Sequence, residues 1–461
     1  MRTGYVIVAF VLGVITSLSF APLSLWIVPF ITLFFLYELL IRNAGINRFW
    51  ITYFFGLGLL IVSQSWTGVY VGNAPFLALA FMQAFFFTPL ALVGKKSNLT
   101  NSLIFGCALV FSEFLMRTIP FTGFGWSRLS FTQVDSPVAA IYPIIGVAGV
   151  AFCIAFFTSL RSIKTLFAAS LVIVIFNFVP AGLNNLGDTK VALVQGGVPQ
   201  LGLDFNGTPL AVYRNHLQQS KISIKPDSVD LIVWPENAVD IDVFSNSTIQ
   251  DEISELSQEL RTPILIGGIS RFSGELQNIS VLFNPKISEI YAKRYLTPFG
   301  EYIPLRSLFQ NLSPYVSEVK DFSAGNERTV FSIKNRTFQT MICYEIINDA
   351  FRDEMSENFL VLQTNNATFG DTAQLDQQLN IARVRAAEIG REIAYVSTTG
   401  VTSVIGFDGE LRSVLPKFEA GTLTESINMH EGKTVAQKLQ FYPEIVAILL
   451  LLLLLVKRVR S

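Results

Sequence analysis

The chain has 461 residues, of which 51% are hydrophobic and only 15% charged. A soluble globule carries about 25% charged residues, so this composition excludes a single water-soluble domain and points to a membrane protein. The charge is unevenly spread: residues 1–180 hold nine Lys/Arg and three acids, whereas 181–456 hold 22 basic against 32 acidic residues, a balance that argues against nucleic acid as a partner.

Residues 4–20 and 24–41 are apolar runs joined by Ala21-Pro22-Leu23, and a helix that crosses a bilayer needs about 20 such residues. They read as a membrane hairpin. A cleaved signal peptide is the weaker reading of the first run, because the second begins within a few residues. Further runs at 50–71, 74–94, 101–119, 137–160 and 163–180 make a seven-span domain over 1–182, and 439–456 adds a C-terminal span. Basic residues in short loops stay cytoplasmic. Arg2, Arg42, Arg48, Lys95, Lys96, Arg161, Lys164 and the terminal Lys457, Arg458 and Arg460 fall on one side of these eight spans, with Arg117 and Arg128 on the other. The part between the last two spans is then expected outside the cytoplasm. Segment 122–137, with Trp126, Arg128 and Asp135, reads either as an interfacial aromatic belt or as a loop lining a lipid entrance.

Residues 190–436 alternate between strand-like and helical patterns. The runs 191–200, 230–237, 263–270, 279–285, 338–345, 358–366, 393–400 and 402–409 are bounded by Gly, Pro, Asn or Asp and predict strands. Helices are predicted over 209–221, 248–260 and 372–391; the last has apolar Leu375, Leu379, Ala382, Ala386 and Ile389 and a cap at Asp371. This is an α/β layer fold large enough to bury its own core.

Three strand ends in this region carry chemistry. Glu236 follows the apolar run 231–234 and Pro235, where partial desolvation raises a carboxyl pKa and suits it to proton transfer. Lys293 precedes the turn Pro298-Phe299-Gly300, which presents Glu301; a lysine near a thiol favours the thiolate and can donate to an oxyanion. Cys343 ends the run 338–342 and is followed by Tyr344 and Glu345. A cysteine at the carboxyl end of a buried strand is held by the sheet and opens into a crevice, the place for a nucleophile, although a free cysteine is as readily a small buried hydrophobe. Cys107 and Cys153 lie in apolar runs, so no disulfide framework is expected. Neither His216 nor His430 is placed to activate Cys343, which leaves Glu and Lys, and no His/Cys/Asp cluster has metal-ligand spacing.

The motifs WPE, K-x4-P-F-G-E and C-Y-E, in this order, resemble the Glu-Lys-Cys triad of the nitrilase, or carbon-nitrogen hydrolase, superfamily. With seven spans before and one after, the whole chain resembles the apolipoprotein N-acyltransferase family of the bacterial envelope; VQGGVPQ, NNATFGD, RVRAAEIGR and TTGVTSVIG also fall in family order. The resemblance implies a membrane helical bundle of about eight spans plus a nitrilase-type αββα sandwich, set in the bacterial inner membrane with the sandwich on the periplasmic side. It implies a reaction without cofactor or metal. Cys343 takes an acyl chain from a phospholipid donor and passes it to the amine of a diacylglyceryl apolipoprotein acceptor, with Glu236 as general base and Lys293 stabilising the oxyanion. Glu301, Tyr344, Glu345, Trp234, Phe299 and Phe369 match supporting or substrate-contacting positions. The chain departs from the family in lacking a Trp after VQGGVPQ, where Phe205 is the nearest aromatic, in having Ala367-Thr368-Phe369-Gly370 for D-A-W-F-G, and in having Thr398-Thr399 for an Asn pair. These departures bear on acyl-chain or head-group preference and leave the triad intact. Two other readings remain: a membrane-anchored amidase that uses water as acceptor, and a membrane binding protein without catalysis.

Overall fold

Backbone contacts follow the change in composition. The computed structural model, which describes residues 3–179, 182–202, 204–272, 274–309 and 319–460, divides into two units, Met1–Gly182 with Thr434–Ser461, and Leu183–Lys433. Arg2, one of the residues used to orient the spans, lies outside the described residues.

The first unit is helical. Ile46–Ser63, Asn73–Leu92, Leu99–Thr118 and Pro137–Ser159 are long and apolar enough to cross a membrane, and Gly4–Ser19 and Ile163–Phe176 are shorter apolar helices. Val28–Arg42 has 15 residues, and Tyr442–Arg460 has 19 with three basic residues in its last turn. Every expected apolar run therefore contains a helix, but among the described residues length and composition single out four helices rather than eight. Helices Thr3–Thr16 and Ile46–Ser63 cross with their backbones nearly touching: a Cβ on Gly13 would lie 2.0 Å from the Phe55 carbonyl oxygen, and one on Gly58 2.2 Å from that of Phe10. Only glycine permits such an approach, which is how helices associate where no hydrophobic effect drives them together.

Segment 122–137 is folded into this unit. Trp126, Ser127, Arg128, Leu129, Ser130 and Phe131 are all buried. The carboxylate of Glu113, in Leu99–Thr118, accepts from Ser130 N (2.9 Å), Ser130 Oγ (2.5 Å) and Arg128 Nε (3.3 Å), and Trp126 packs on Trp66. A buried charge survives in such surroundings because it is paired and hydrogen-bonded.

The second unit contains two sheets. The first orders its main strands β13 (Gly421–Glu431), β1 (Asn184–Gln195), β2 (Leu231–Val233), β4 (Ile264–Phe272), β5 (Glu275–Phe283) and β6 (Ile287–Ala292), with β3 (Val239–Asp242) also pairing β4. The second runs β12 (Leu411–Leu415), β11 (Thr402–Ile405), β10 (Ile393–Ser397), β9 (Phe359–Thr364), β8 (Arg336–Ile342) and β7 (Phe331–Ile333). Each sheet has a parallel centre, β1-β2-β4 in one and β8-β9-β10 in the other. Polar side chains join them: Ser280 Oγ on β5 donates to Gln363 Oε1 on β9 (2.5 Å), and Thr402 Oγ1 on β11 donates to Gln195 Oε1 on β1 (2.6 Å).

Helices cover the sheets. In Ser247–Leu260 the buried Ile249, Ile253, Leu256 and Leu260 recur at helical spacing and share a core with Ile232, Ile264 and Ile266 of the first sheet and with Trp234 just beyond β2, and Asn246 caps the helix by accepting from Ile249 N (3.2 Å). Ala373–Ile389 begins at Thr372 rather than at the expected cap Asp371, and Thr372 makes no side-chain cap hydrogen bond. All eight expected strand regions contain strands; β3, β6, β7, β12 and β13 fall outside them.

Candidate active site

Cys343 stands at a sharp turn of the backbone. Strand β8 stops at Ile342, Cys343 takes φ +51°, and a 3-10 turn follows over Cys343–Ile347. A left-handed non-glycine residue costs about 1–3 kcal/mol and persists only where its surroundings over-determine it. Here Glu345 Oε2 accepts from Ile342 N (2.9 Å), while Arg385 donates to the carbonyls of Ile346 (3.0 Å) and Ile347 (2.9 Å). The other Glu345 oxygen accepts from Tyr291 Oη (2.7 Å), Arg294 N (2.8 Å) and Tyr295 N (3.0 Å). One buried carboxylate thus ties the start of the cysteine turn to the chain that follows Lys293.

Parallel topology brings three strand exits together. Glu236 lies three residues beyond β2 and Asn365 directly after β9, and Asn365 N donates to Glu236 Oε2 (2.7 Å). Lys293 follows β6 and is 1% exposed; its ammonium lies 2.9 and 2.8 Å from the two oxygens of Glu301 and 3.7 Å from Glu236 Oε1. Asn278, on β5, donates from the same amide nitrogen to Glu236 Oε1 (2.7 Å) and Glu301 Oε1 (3.0 Å). Thr297 N completes the cradle of Glu301 (2.8 Å).

Two carboxylates share one ammonium, and their environments separate them. Burial pushes both up, but the close ion pair with Lys293 holds Glu301 below the ordinary carboxylate range. Glu236 stays raised, by burial and then by the charge of Glu301, against the pull of Lys293. Burial opposes the charge on Lys293, yet Glu301 and Glu236 keep it a cation with a raised pKa. The Cys343 thiol is pushed up to about 12 by burial and by Glu236, with Lys293 acting in the opposite sense. The resting nucleophile is therefore a neutral thiol, and the neighbouring acid-base group with a raised pKa is Glu236.

The remaining predicted residues occupy several settings. Trp234 is fully buried in the core, with Nε1 donating to Ser220 Oγ (2.9 Å) and its ring against Tyr213 and His216. Tyr344 is buried beside Cys343, whereas Phe299, at φ +62° in the turn before Glu301, is 38% exposed. Phe369 ends the short turn Ala367–Phe369, and Phe205 packs on Ala367 and Val212. His216 is buried beside Trp234, and His430 lies on β13 against Phe407. Sequence reasoning missed Asn278, Asn365 and Gln378, whose Nε2 lies 3.5 Å from the Cys343 sulfur. Asn365 was within the quoted NNATFGD, and Gln378 stands on the apolar face of its helix three residues after Leu375; a polar residue on such a face is the available signal.

Residues 190–437 match the model of the carbon-nitrogen hydrolase family, and residues 12–160 match the apolipoprotein N-acyltransferase N-terminal domain. The chain belongs to the carbon-nitrogen hydrolase family. Within it, this carbon-nitrogen hydrolase family member carries both domains of the apolipoprotein N-acyltransferase branch, which bears out the resemblance seen in its motifs. Apolipoprotein N-acyltransferase of Haemophilus ducreyi is 28% identical over 478 residues, spanning 93% of this chain and 92% of that protein. The one from Shewanella oneidensis is 28% identical over 475 residues, 93% of this chain and 90% of its own. Among solved structures, XC1258 from Xanthomonas campestris, a CN-hydrolase superfamily protein, is 16% identical, covers 57% of this chain and 97% of its own, and has a TM-score of 0.40.

Proposed function

We propose that this chain transfers an acyl chain from a phospholipid, through a thioester on Cys343, to the N-terminal amine of diacylglyceryl-cysteine in apolipoproteins. The observation that carries the reading is the buried Glu236-Lys293-Glu301 cluster against the Cys343 thiol, in a chain with both domains of the acyltransferase branch.

In the first half-reaction Glu236 takes the thiol proton as sulfur attacks the ester carbonyl. The carbonyl oxygen becomes an oxyanion, which Lys293 stabilises, and the C–O bond then breaks. Glu236 returns the proton to the departing alkoxide, releasing lysophospholipid. In the second half-reaction the acceptor amine attacks the thioester, its proton passes through Glu236, and sulfur leaves as the amide forms. Glu301 keeps Lys293 charged and in place. Because the thioester stores the acyl group, donor and acceptor need not share the site, and a ping-pong order follows.

The same reading makes the protein a multi-pass inner-membrane enzyme of about eight spans. Its units are a seven-span domain over 1–182, a catalytic domain over 190–436 on the periplasmic side, and a C-terminal span over 439–456. Four helices of span length and the distribution of basic residues support this topology. A reporter active only outside the cytoplasm should work when fused after Asn185, and one active only inside should work after Ser461; the reverse at either position would remove the topology.

The test of function is mass spectrometry of a reporter lipoprotein's N-terminus with and without this chain, where one added acyl mass on the amine is expected. Incubation with phospholipid alone should place one acyl group on the Cys343 peptide, removable by hydroxylamine and absent in Cys343→Ala. Release of free fatty acid with no acylated amine would favour the alternative in which water is the acceptor. An adduct on Cys107 or Cys153 would overturn the assignment of the nucleophile.

A further inference from the structure

We propose that Gln378 is a further catalytic residue, whose side-chain N–H donates a hydrogen bond to the Cys343 sulfur and stabilises negative charge there as the C–S bond forms and breaks. The proposal rests on the reading of Cys343 as the acyl carrier. Gln378 is fully buried on the helix Ala373–Ile389, with Nε2 3.5 Å from Sγ.

The orientation of this amide follows from the groups around its other end. Oε1 faces Thr364 Oγ1 (3.1 Å), Asn366 Nδ2 (2.8 Å), Gln374 Nε2 (3.2 Å) and Tyr395 Oη (3.2 Å). Several donors converging on one atom identify it as the oxygen, which puts the amino group on the sulfur side. A backbone group, which can only donate, anchors the chain of bonds: Gly400 N donates to Ser397 Oγ (2.9 Å), Ser397 donates to Asn366 Oδ1 (2.8 Å), and Asn366 Nδ2 is left to face Gln378. Residue 400 must be small for this, since a Cβ there would lie 2.4 Å from Asn366 Oδ1.

Gln378 neither gives nor takes a proton in the reaction. Against the neutral thiol its hydrogen bond is weak. When Glu236 takes the thiol proton, or when the amine displaces the thioester and the C–S electron pair returns to sulfur, the acceptor is anionic and the bond strengthens. Besides the charged groups that bear on the sulfur, Glu236 against and Lys293 in favour of the thiolate, the Thr364 side chain faces it as a second neutral hydrogen-bonding group. A hydrogen bond to a charged group corresponds to roughly a ten- to hundredfold change in rate.

Two variants of the full-length protein in detergent test this, with folding checked by thermal unfolding. Gln378→Met keeps the length of the side chain and loses the donor. Gln378→Glu keeps the shape and the oxygen that receives the four neighbours, but turns an acceptor oxygen toward sulfur. In Gln378→Met, iodoacetamide alkylation of Cys343 at a fixed alkaline pH should slow about tenfold, and amine-dependent loss of the acyl-enzyme about ten- to hundredfold. Gln378→Glu should be slower still in both. A purely structural hub predicts the opposite order, with Gln378→Glu near wild type; that order, or an alkylation profile unmoved in folded Gln378→Met, overturns the proposal. If Gln378→Met does not fold, Gln378→Glu decides alone, and wild-type rates in it overturn the proposal. Alkylation uses no substrate, so a wild-type protein that forms no thioester would instead overturn the acyl-transfer reading.

Discussion

Buried charge is handled in opposite ways by the two units. In the helical unit Glu113 meets Arg128 and both hydrogen-bond donors of Ser130, so its carboxylate is matched by partners that hold the buried residues 125–134 in place. In the sandwich unit Lys293 is shared by Glu236 and Glu301 beside a thiol, and burial, together with that surplus of negative charge, raises the pKa of both Glu236 and Cys343. Pairing alone is thus not the mark of function. An ion pair whose demands are met locally is architecture, whereas an unequal cluster converging from several strand ends is poised to move a proton.

The comparison breaks most visibly at the chemistry. Cys343→Ala should abolish acyl transfer, and Glu236→Gln and Lys293→Met should each lower single-turnover acylation by about 10²–10⁴-fold, measured on the folded, inserted fraction of each variant. Near wild-type rates in either would remove the assignment. The helical unit should respond the other way. Glu113→Gln leaves Arg128 buried against a neutral partner and should cost about 3 kcal/mol of stability, measured by thermal unfolding in detergent, with little change in turnover at permissive temperature; pairing it with Arg128→Met should recover part of the loss.

A smaller stability loss, about 1–3 kcal/mol, is expected of Gly58→Val, which drives a side chain into the Phe10 carbonyl where two helices touch; an unchanged melting temperature would show that these helices separate without cost. The mildest change sharpens the sandwich side. Because Glu236 carries a raised pKa, kcat/KM should fall with decreasing pH above the ordinary carboxylate range. Glu301→Gln removes a negative charge that raises Glu236 and frees Lys293 to lower it, both of one sign, so the acidic limb should move to lower pH in whatever activity remains. A limb that stays or moves upward would mean that another group sets it.

Much of the catalytic unit was legible because its central strands are short apolar runs that end on polar residues. Such a pattern forces a strand to be buried and its exit to stand at a sheet edge, so Glu236, Lys293 and Cys343 could be placed before any coordinates. Strands β12 and β13 were missed because they are partly exposed on both faces and present no apolar run. Asn278 was missed because a single amide on a strand carries no signal of its own, and Gln378 because a polar residue on an apolar helix face marks a position without saying what stands opposite it.

Composition and hydropathy by themselves determined that an apolar helical part and an acidic α/β part share this chain, because burial preferences act on each residue locally and repeat with the period of its element. Only the tertiary structure decided that Glu301 holds Lys293 more tightly than Glu236 does, that one Glu345 ties the cysteine turn to the lysine loop, and that residues 125–134 are buried. Those outcomes rest on distances between atoms far apart in sequence, and electrostatic energy in a buried site depends on such distances more steeply than on any local preference.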